Sequence, residues 1–166
     1  TDCAPFAVAK EKGFFDEQGL NVSLSREHSW ASIRDKVGLG VLDGAQMLAS
    51  MPVAARLGVA GPRLDMVTGF VLDLNGNAIT LSKRLYSAVV ATDPDAGFSP
   101  LAASKALNLV IRANAQNKRP KFRFGVVFPV STQNYELRYW LGCGGTNPDL
   151  DVEIVVIPPP DMVDHL

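Results

Sequence analysis

Residues 122–145, FRFGVVFPVSTQNYELRYWLGCGG, constrain the fold more than any other stretch of the chain. Phe124, Val126, Val127 and Phe128 form a short apolar run ahead of a polar turn, which predicts a buried strand. Leu137, Trp140 and Leu141 then recur at i, i+3 and i+4, on one face of a helix that Gly142, Gly144 and Gly145 end. The turn Ser131-Thr132-Gln133-Asn134 therefore lies beyond the carboxyl end of a strand, at the start of a helix. Free backbone N–H groups and the positive end of the helix dipole face outward at such a place. Uncharged hydroxyl and amide side chains surround them here, which suits a small anion held without a counter-ion. The plainer alternative is that Ser131 or Thr132 only caps the helix.

Helical and strand-like patterns alternate along the rest of the chain. A helix is predicted over residues 4–12 and ended by Gly13, with Phe14 and Phe15 packing back before a turn at Gly19. Leu20, Val22 and Leu24 alternate with polar residues as a strand does. Ser29 caps a second helix with Trp30, Ile33 and Val37 on one face, and a short strand follows within residues 41–47. Pro52 starts a small helix that stops near Gly58. Residues 64–81 read as mostly strand, broken by the turn signal Asn75-Gly76-Asn77. After the polar loop 93–97, Ser99-Pro100 opens a helix to about Asn117, with Leu107, Val110 and Ile111 inward. A buried strand over 152–157, an extended exit at Pro158-Pro159-Pro160 and a final helix complete the pattern. This order predicts an α/β fold with mostly parallel sheets and right-handed crossovers. A division near residues 80–95 gives two lobes, 1–82 and 83–166. The chain opens without methionine, directly on a helix, and stops within a helix-like segment, so a fold truncated at both ends is expected.

Composition narrows the function. With 166 residues, 47% of them hydrophobic and 20% charged, the chain can bury a core as one domain or two small lobes. A net charge of −1 and the lack of any polybasic run give no footprint for nucleic acid or an anionic membrane surface. Any anion must therefore be recognised locally. No apolar run approaches the length of a membrane span. Cys3 and Cys143 are too distant for a zinc knuckle or a redox pair and read as two buried thiols.

Signatures of catalysis are missing. There is no G-x-S-x-G or H-E-x-x-H, and Gly38-x-Gly40 is followed by Asp43 where a dinucleotide fingerprint needs glycine. Asp93-x-Asp95 lacks the later ligands of a calcium loop, and His28 and His165 stand alone. No cofactor, no metal and no enzymatic activity are expected. Ligands of α/β proteins sit beyond the carboxyl ends of strands, where helix starts converge. Three such places carry suitable groups: Ser29-Trp30, Asn75-Gly76-Asn77 and Ser131-Thr132-Gln133. Trp30 offers a flat face to a planar ligand, or packs in a core with Ile33 and Val37.

The segments TDCAPFAVAKEKGFFDEQGL, SWASIRDKVGLGVLDGAQML, LNGNAITLS, FPVSTQNYELRYWLGCGG and VVIPPPDMV, in this order, resemble the nitrate- and bicarbonate-binding proteins of ABC transporters. The resemblance runs from Thr1 to Leu166 and implies a two-lobed, periplasmic-binding-protein-like (type II) fold closing on one small oxyanion. It implies nitrate, or possible relatives nitrite and bicarbonate, as ligand and a membrane permease as partner. Its implied location is the periplasm, or an anchor on the outer side of the inner membrane. A related branch, equally similar in LNGNAIT and STQNYELRYW, is a cytoplasmic nitrate/nitrite sensor whose partner is an antiterminator protein. Thiamine-pyrimidine synthases belong to the wider superfamily, but their catalytic histidines and cysteine cluster are not found here. Residue by residue, the resemblance assigns ligand contact to Trp30, Asn77 and Thr132, and to Gln133 where the family commonly has histidine. Glutamine still donates a hydrogen bond but cannot become cationic.

Overall fold

The computed structural model describes residues 3–72 and 76–165. The chain forms two compact units, Thr1–Gly76 and Asn77–Leu166.

The first unit is helical where it is regular. It contains α1 (Ala4–Glu11), α2 (Phe14–Glu17), α3 (Trp30–Gly38) and α4 (Ser50–Leu57). Pro5 sits in the first turn of α1, where its missing N–H has no helical acceptor to lose. Gly58, at φ 70°, takes the left-handed turn that ends α4. Leu48, Met51, Ala54 and Ala55 are buried, together with the Arg34 side chain of α3. Arg34 donates to the Ala60 carbonyl and pairs with Asp35 at 2.7 Å, so its charge is compensated on burial.

The strands expected at 20–24, 41–47 and 64–81 are not formed among the described residues. Alternating apolar residues make a strand only when a neighbour supplies the opposing N–H and C=O groups. Among the described residues no strand pairs with these segments, and Val67 and Phe70 are 97% and 73% exposed. Asp73 and Leu74 of the 64–81 stretch and Asn75 of its expected break lie outside the described residues.

The second unit is built on a parallel β–α–β crossover. It contains α5 (Lys83–Thr92), a 3₁₀ turn (Pro94–Gly97), α6 (Pro100–Gln116), β1 (Arg123–Val126), α7 (Thr132–Cys143) and β2 (Glu153–Val156). Two further 3₁₀ turns, Pro159–Asp161 and Val163–His165, stand where a final helix was expected. β1 and β2 pair in parallel, in register from Arg123 opposite Glu153 to Val126 opposite Val156. Phe124 and Val126 of β1 join Val89 of α5, Leu107 and Ile111 of α6, and Leu137 and Leu141 of α7 in one core. β2 is less buried than its sequence predicts, with Val156 53% exposed.

Polar ties fix α7 against α6. The Ser104 hydroxyl donates to the Trp140 carbonyl, and the Trp140 indole donates to the Pro100 carbonyl at 2.7 Å. Asn108 donates to the buried Thr146 hydroxyl at 2.9 Å. Gly144 lies so close to the Ser104 backbone that a Cβ there would collide with it. The two cysteines are exposed, not buried. Cys3 precedes α1, which buries no residue. Cys143 closes α7 one turn after Tyr139, whose phenol it pushes above its ordinary pKa by hydrogen bond and charge.

Candidate functional site

The start of α7 is fixed from both sides. Phe128 and Val130 are buried and anchor the connection from β1. Ser131 is extended at φ −77° and ψ 151°, and its hydroxyl oxygen accepts from the Asn134 backbone N–H at 3.1 Å. The Asn134 amide donates back to the Pro129 carbonyl at 2.6 Å. Ser131 is therefore the cap, fully buried and committed. Thr132 is the first helical residue, and its hydroxyl is left for another task.

Thr132 and Gln133 also occupy the positions whose N–H groups have no acceptor within a helix. The Asn77 side-chain N–H donates to Thr132 Oγ1 at 3.4 Å. Thr132 Oγ1 in turn donates to Gln133 Oε1 at 3.5 Å. The structure thus brings together three of the four residues singled out in the sequence: Asn77, Thr132 and Gln133. In this chain of bonds the oxygen atoms accept from within the cluster. The Gln133 amide nitrogen and the helix-start N–H groups remain as donors. A ring of donors at the positive end of a helix suits an acceptor-only anion.

Gln133 also lines a groove of about 1200 Å³ in the second unit. Its lining includes Arg84, Arg119, Lys121 and Arg123, and no carboxylate among the described residues. Arg123 is partly neutralised by Glu153 at 3.3 Å. The lining of this groove is thus positive although the whole chain is not.

Trp30, the fourth residue, belongs to the first unit and is the first residue of α3. Ser29 caps that helix, accepting from the Ser32 N–H at 3.2 Å. Trp30 is half-buried, and its indole N–H is buried with no acceptor among the described residues. A donor left this way costs about 1–3 kcal/mol unless a further partner reaches it.

Glu27, three residues earlier, escaped the sequence reading. Its carboxylate is 9% exposed. It accepts from the Ser25 hydroxyl at 2.9 Å, the Ser32 hydroxyl at 3.1 Å and Lys36 Nζ at 2.8 and 2.9 Å. The Lys36 ammonium, followed by Ser25, holds the Glu27 carboxyl below its ordinary pKa. Among the described residues no group of His, Cys, Asp and Glu is placed to hold a metal ion. No described helix is long and apolar enough to cross a membrane.

The sequence pattern of the NMT1-like family matches residues 1–166. The nitrate import ATP-binding protein NrtC of Synechocystis sp. PCC 6803 is 46% identical over 168 residues, covering 100% of this chain and 23% of that protein. The bicarbonate transport ATP-binding protein CmpC of the same organism is 42% identical over 166 residues, again 23% of its length. The crystal structure of the periplasmic nitrate-binding protein NrtA from Synechocystis PCC 6803 superposes with a TM-score of 0.78 at 32% identity. That match covers 99% of this chain and 40% of the NrtA chain. The chain therefore spans about a quarter of the curated relatives and less than half of the solved one. Its fold is that of a periplasmic binding protein, with helices around parallel strands. The chain belongs to the NMT1-like family.

Proposed function

We propose that this chain is an oxyanion-binding module of a nitrate import system, holding nitrate without transforming it. The start of α7 carries the reading. Thr132 and Gln133 present helix-start N–H groups, and the Asn77–Thr132–Gln133 bonds hold the three side chains together, with the Gln133 amide nitrogen left as a donor. In the first unit, Trp30 separately carries an indole N–H that has no acceptor among the described residues. Nitrate offers only acceptors, whereas hydrogencarbonate carries an O–H that needs an acceptor of its own. The proposed ligand contacts are Trp30, Asn77, Thr132 and Gln133.

Titration calorimetry with sodium nitrate tests this. One saturable site is expected, with nitrate recovered unchanged and bicarbonate bound more weakly. Failure to bind any small oxyanion, or turnover of nitrate, overturns it.

In the first reading the module delivers its anion to a membrane permease from the periplasmic side, the compartment that the name of NrtA gives for that protein. The higher identity to the ATP-binding proteins, 46% and 42% against 32% for NrtA, favours a second setting. There the module senses the anion beside an ATP-hydrolysing component and adjusts its activity. This second setting shares the logic of a cytoplasmic nitrate/nitrite sensor. ATP hydrolysis by the assembled transporter, measured with and without nitrate on the ATP side, separates the two. A response that Thr132→Val abolishes supports the sensor, and no response supports delivery.

A further inference from the structure

We propose that Glu27 is the positioning residue for Trp30. The proposal rests on the reading that Trp30 contacts the anion. Glu27 lies in the segment that enters α3, and its carboxylate ties that segment to two successive turns of the helix. One tie is the Ser32 hydroxyl at 3.1 Å, in the first turn. The other is Lys36 Nζ, which reaches both carboxylate oxygens at 2.8 and 2.9 Å. Ser25 closes the segment from the other side at 2.9 Å, and Ser29 caps the helix through Ser32 N–H.

Trp30 thus sits between two chain segments clamped to one carboxylate. Its indole nitrogen is held in a buried position without an acceptor among the described residues, a placement that the unclamped loop would relax. Charge-assisted bonds of this kind are directional and stronger than neutral ones. The carboxylate accepts from three residues and is 9% exposed.

The test uses the purified protein, and Trp30 emission is taken as the difference between the parent and Trp30→Phe, so that Trp140 keeps its bond to the Pro100 carbonyl. Sodium nitrate is titrated while Trp30 emission is followed, and thermal melts are recorded beside it. In Glu27→Gln, the new amide N–H faces the Lys36 ammonium, donor against donor. Its nitrate affinity should fall about tenfold, and Trp30 emission should shift before any nitrate is added. The E27Q/K36Q double variant replaces that clash with a neutral pair and should regain affinity to within about threefold of the parent.

Glu27→Gln with the parent's affinity and emission overturns the proposal. So does a loss of affinity that tracks loss of folding and is not recovered in the double variant. Trp30→Phe distinguishes the two levels. If it weakens nitrate binding while Glu27→Gln does not, positioning alone fails. If folded Trp30→Phe binds nitrate as well as the parent does, the anion reading of Trp30 fails, and the proposal with it.

Discussion

The side-chain amide of Asn77 donates to the hydroxyl oxygen of Thr132 at 3.4 Å, joining residues 55 apart in sequence. The bond connects the residue that opens the second unit with the first helical residue of α7. Because Thr132 accepts there, its own hydrogen is directed elsewhere, and in this structure it reaches Gln133 Oε1. The separate cap at Ser131 makes this possible. One hydroxyl completes the helix end, and its neighbour ties Asn77 and Gln133 together beside it.

That division of labour gives two distinguishable substitutions. Thr132→Val keeps the shape, removes the hydroxyl and leaves the cap intact. The melt should change little, and nitrate affinity should fall by about 1.5–3 kcal/mol, tenfold to over a hundredfold, as for a hydrogen bond to a charged partner. Ser131→Ala removes the acceptor used by the Asn134 N–H and should cost about 0.5–2 kcal/mol of stability. Denaturant melts and nitrate titrations on both variants measure the split. Equal losses of stability in the two would mean that Thr132 is also structural.

Helices were legible in the sequence because their signals are local. Ser29, Ser99 and Ser131 each accept from the N–H three residues on, as the cap pattern predicts. The i, i+3, i+4 stripe of Leu137, Trp140 and Leu141 packs inward in α7. α5, not among the expected helices, carries the same local signals: Ser82 caps it, and Leu85 and Val89 share its inner face. Its cap follows directly on residues 64–81, whose apolar alternation imitates a strand. Strands were legible only where both partners are present, as in β1 and β2. Pairing is a non-local property, so the alternation of Leu20, Val22 and Leu24 cannot announce whether a neighbour exists. In the candidate site, the resemblance singled out the residue types. The Asn77–Thr132 contact and the Glu27 clamp follow no single period and emerge only from the folded chain.

The buried Asn108–Thr146 pair should be a stability determinant. Thr146 is 2% exposed and Asn108 6%, and they meet at 2.9 Å. Thr146→Val removes the acceptor and leaves a buried amide hydrogen unsatisfied, at a cost of about 1–3 kcal/mol. Converting Asn108 to leucine in the same chain removes the orphaned amide, so the double variant should recover part of the loss. Urea melts decide it: a Thr146→Val variant as stable as the parent means that another partner reaches Asn108.

Acid should loosen the first unit through Glu27. Its carboxyl pKa is lowered, chiefly by Lys36 and next by Ser25, so the folded state binds this proton less readily than the unfolded chain. The stabilisation is fully present above the unfolded carboxyl value, about 4.3, and is lost as pH falls through the lower folded value. Hydrogen exchange at residues 30–38 should therefore accelerate below about pH 4 more in the parent than in Glu27→Gln, which has no proton to take up. Identical acid profiles for the two proteins would assign the loosening to other carboxylates.

Gln133→His probes the electrostatics of the α7 start most directly. Glutamine is neutral at every accessible pH, so the parent site should show no imidazole-like titration in its nitrate affinity. Histidine at this position faces the N–H groups of a helix start, which disfavour its cationic form, and the bound anion, which favours it. By linkage, an anion that stabilises the imidazolium must bind more tightly where the imidazole is protonated. Affinity should thus rise as pH falls through the free-site imidazole value, near 6.5 if unperturbed. The expected gain is about tenfold from pH 8 to pH 5.5, the size of one charge-assisted hydrogen bond at a partly exposed site. Calorimetry across that range measures it, with Thr132→Val on the same background as control. A pH-independent Gln133→His variant, folded and still binding nitrate, would place the anion away from α7 and leave Ser131 as a helix cap and nothing more.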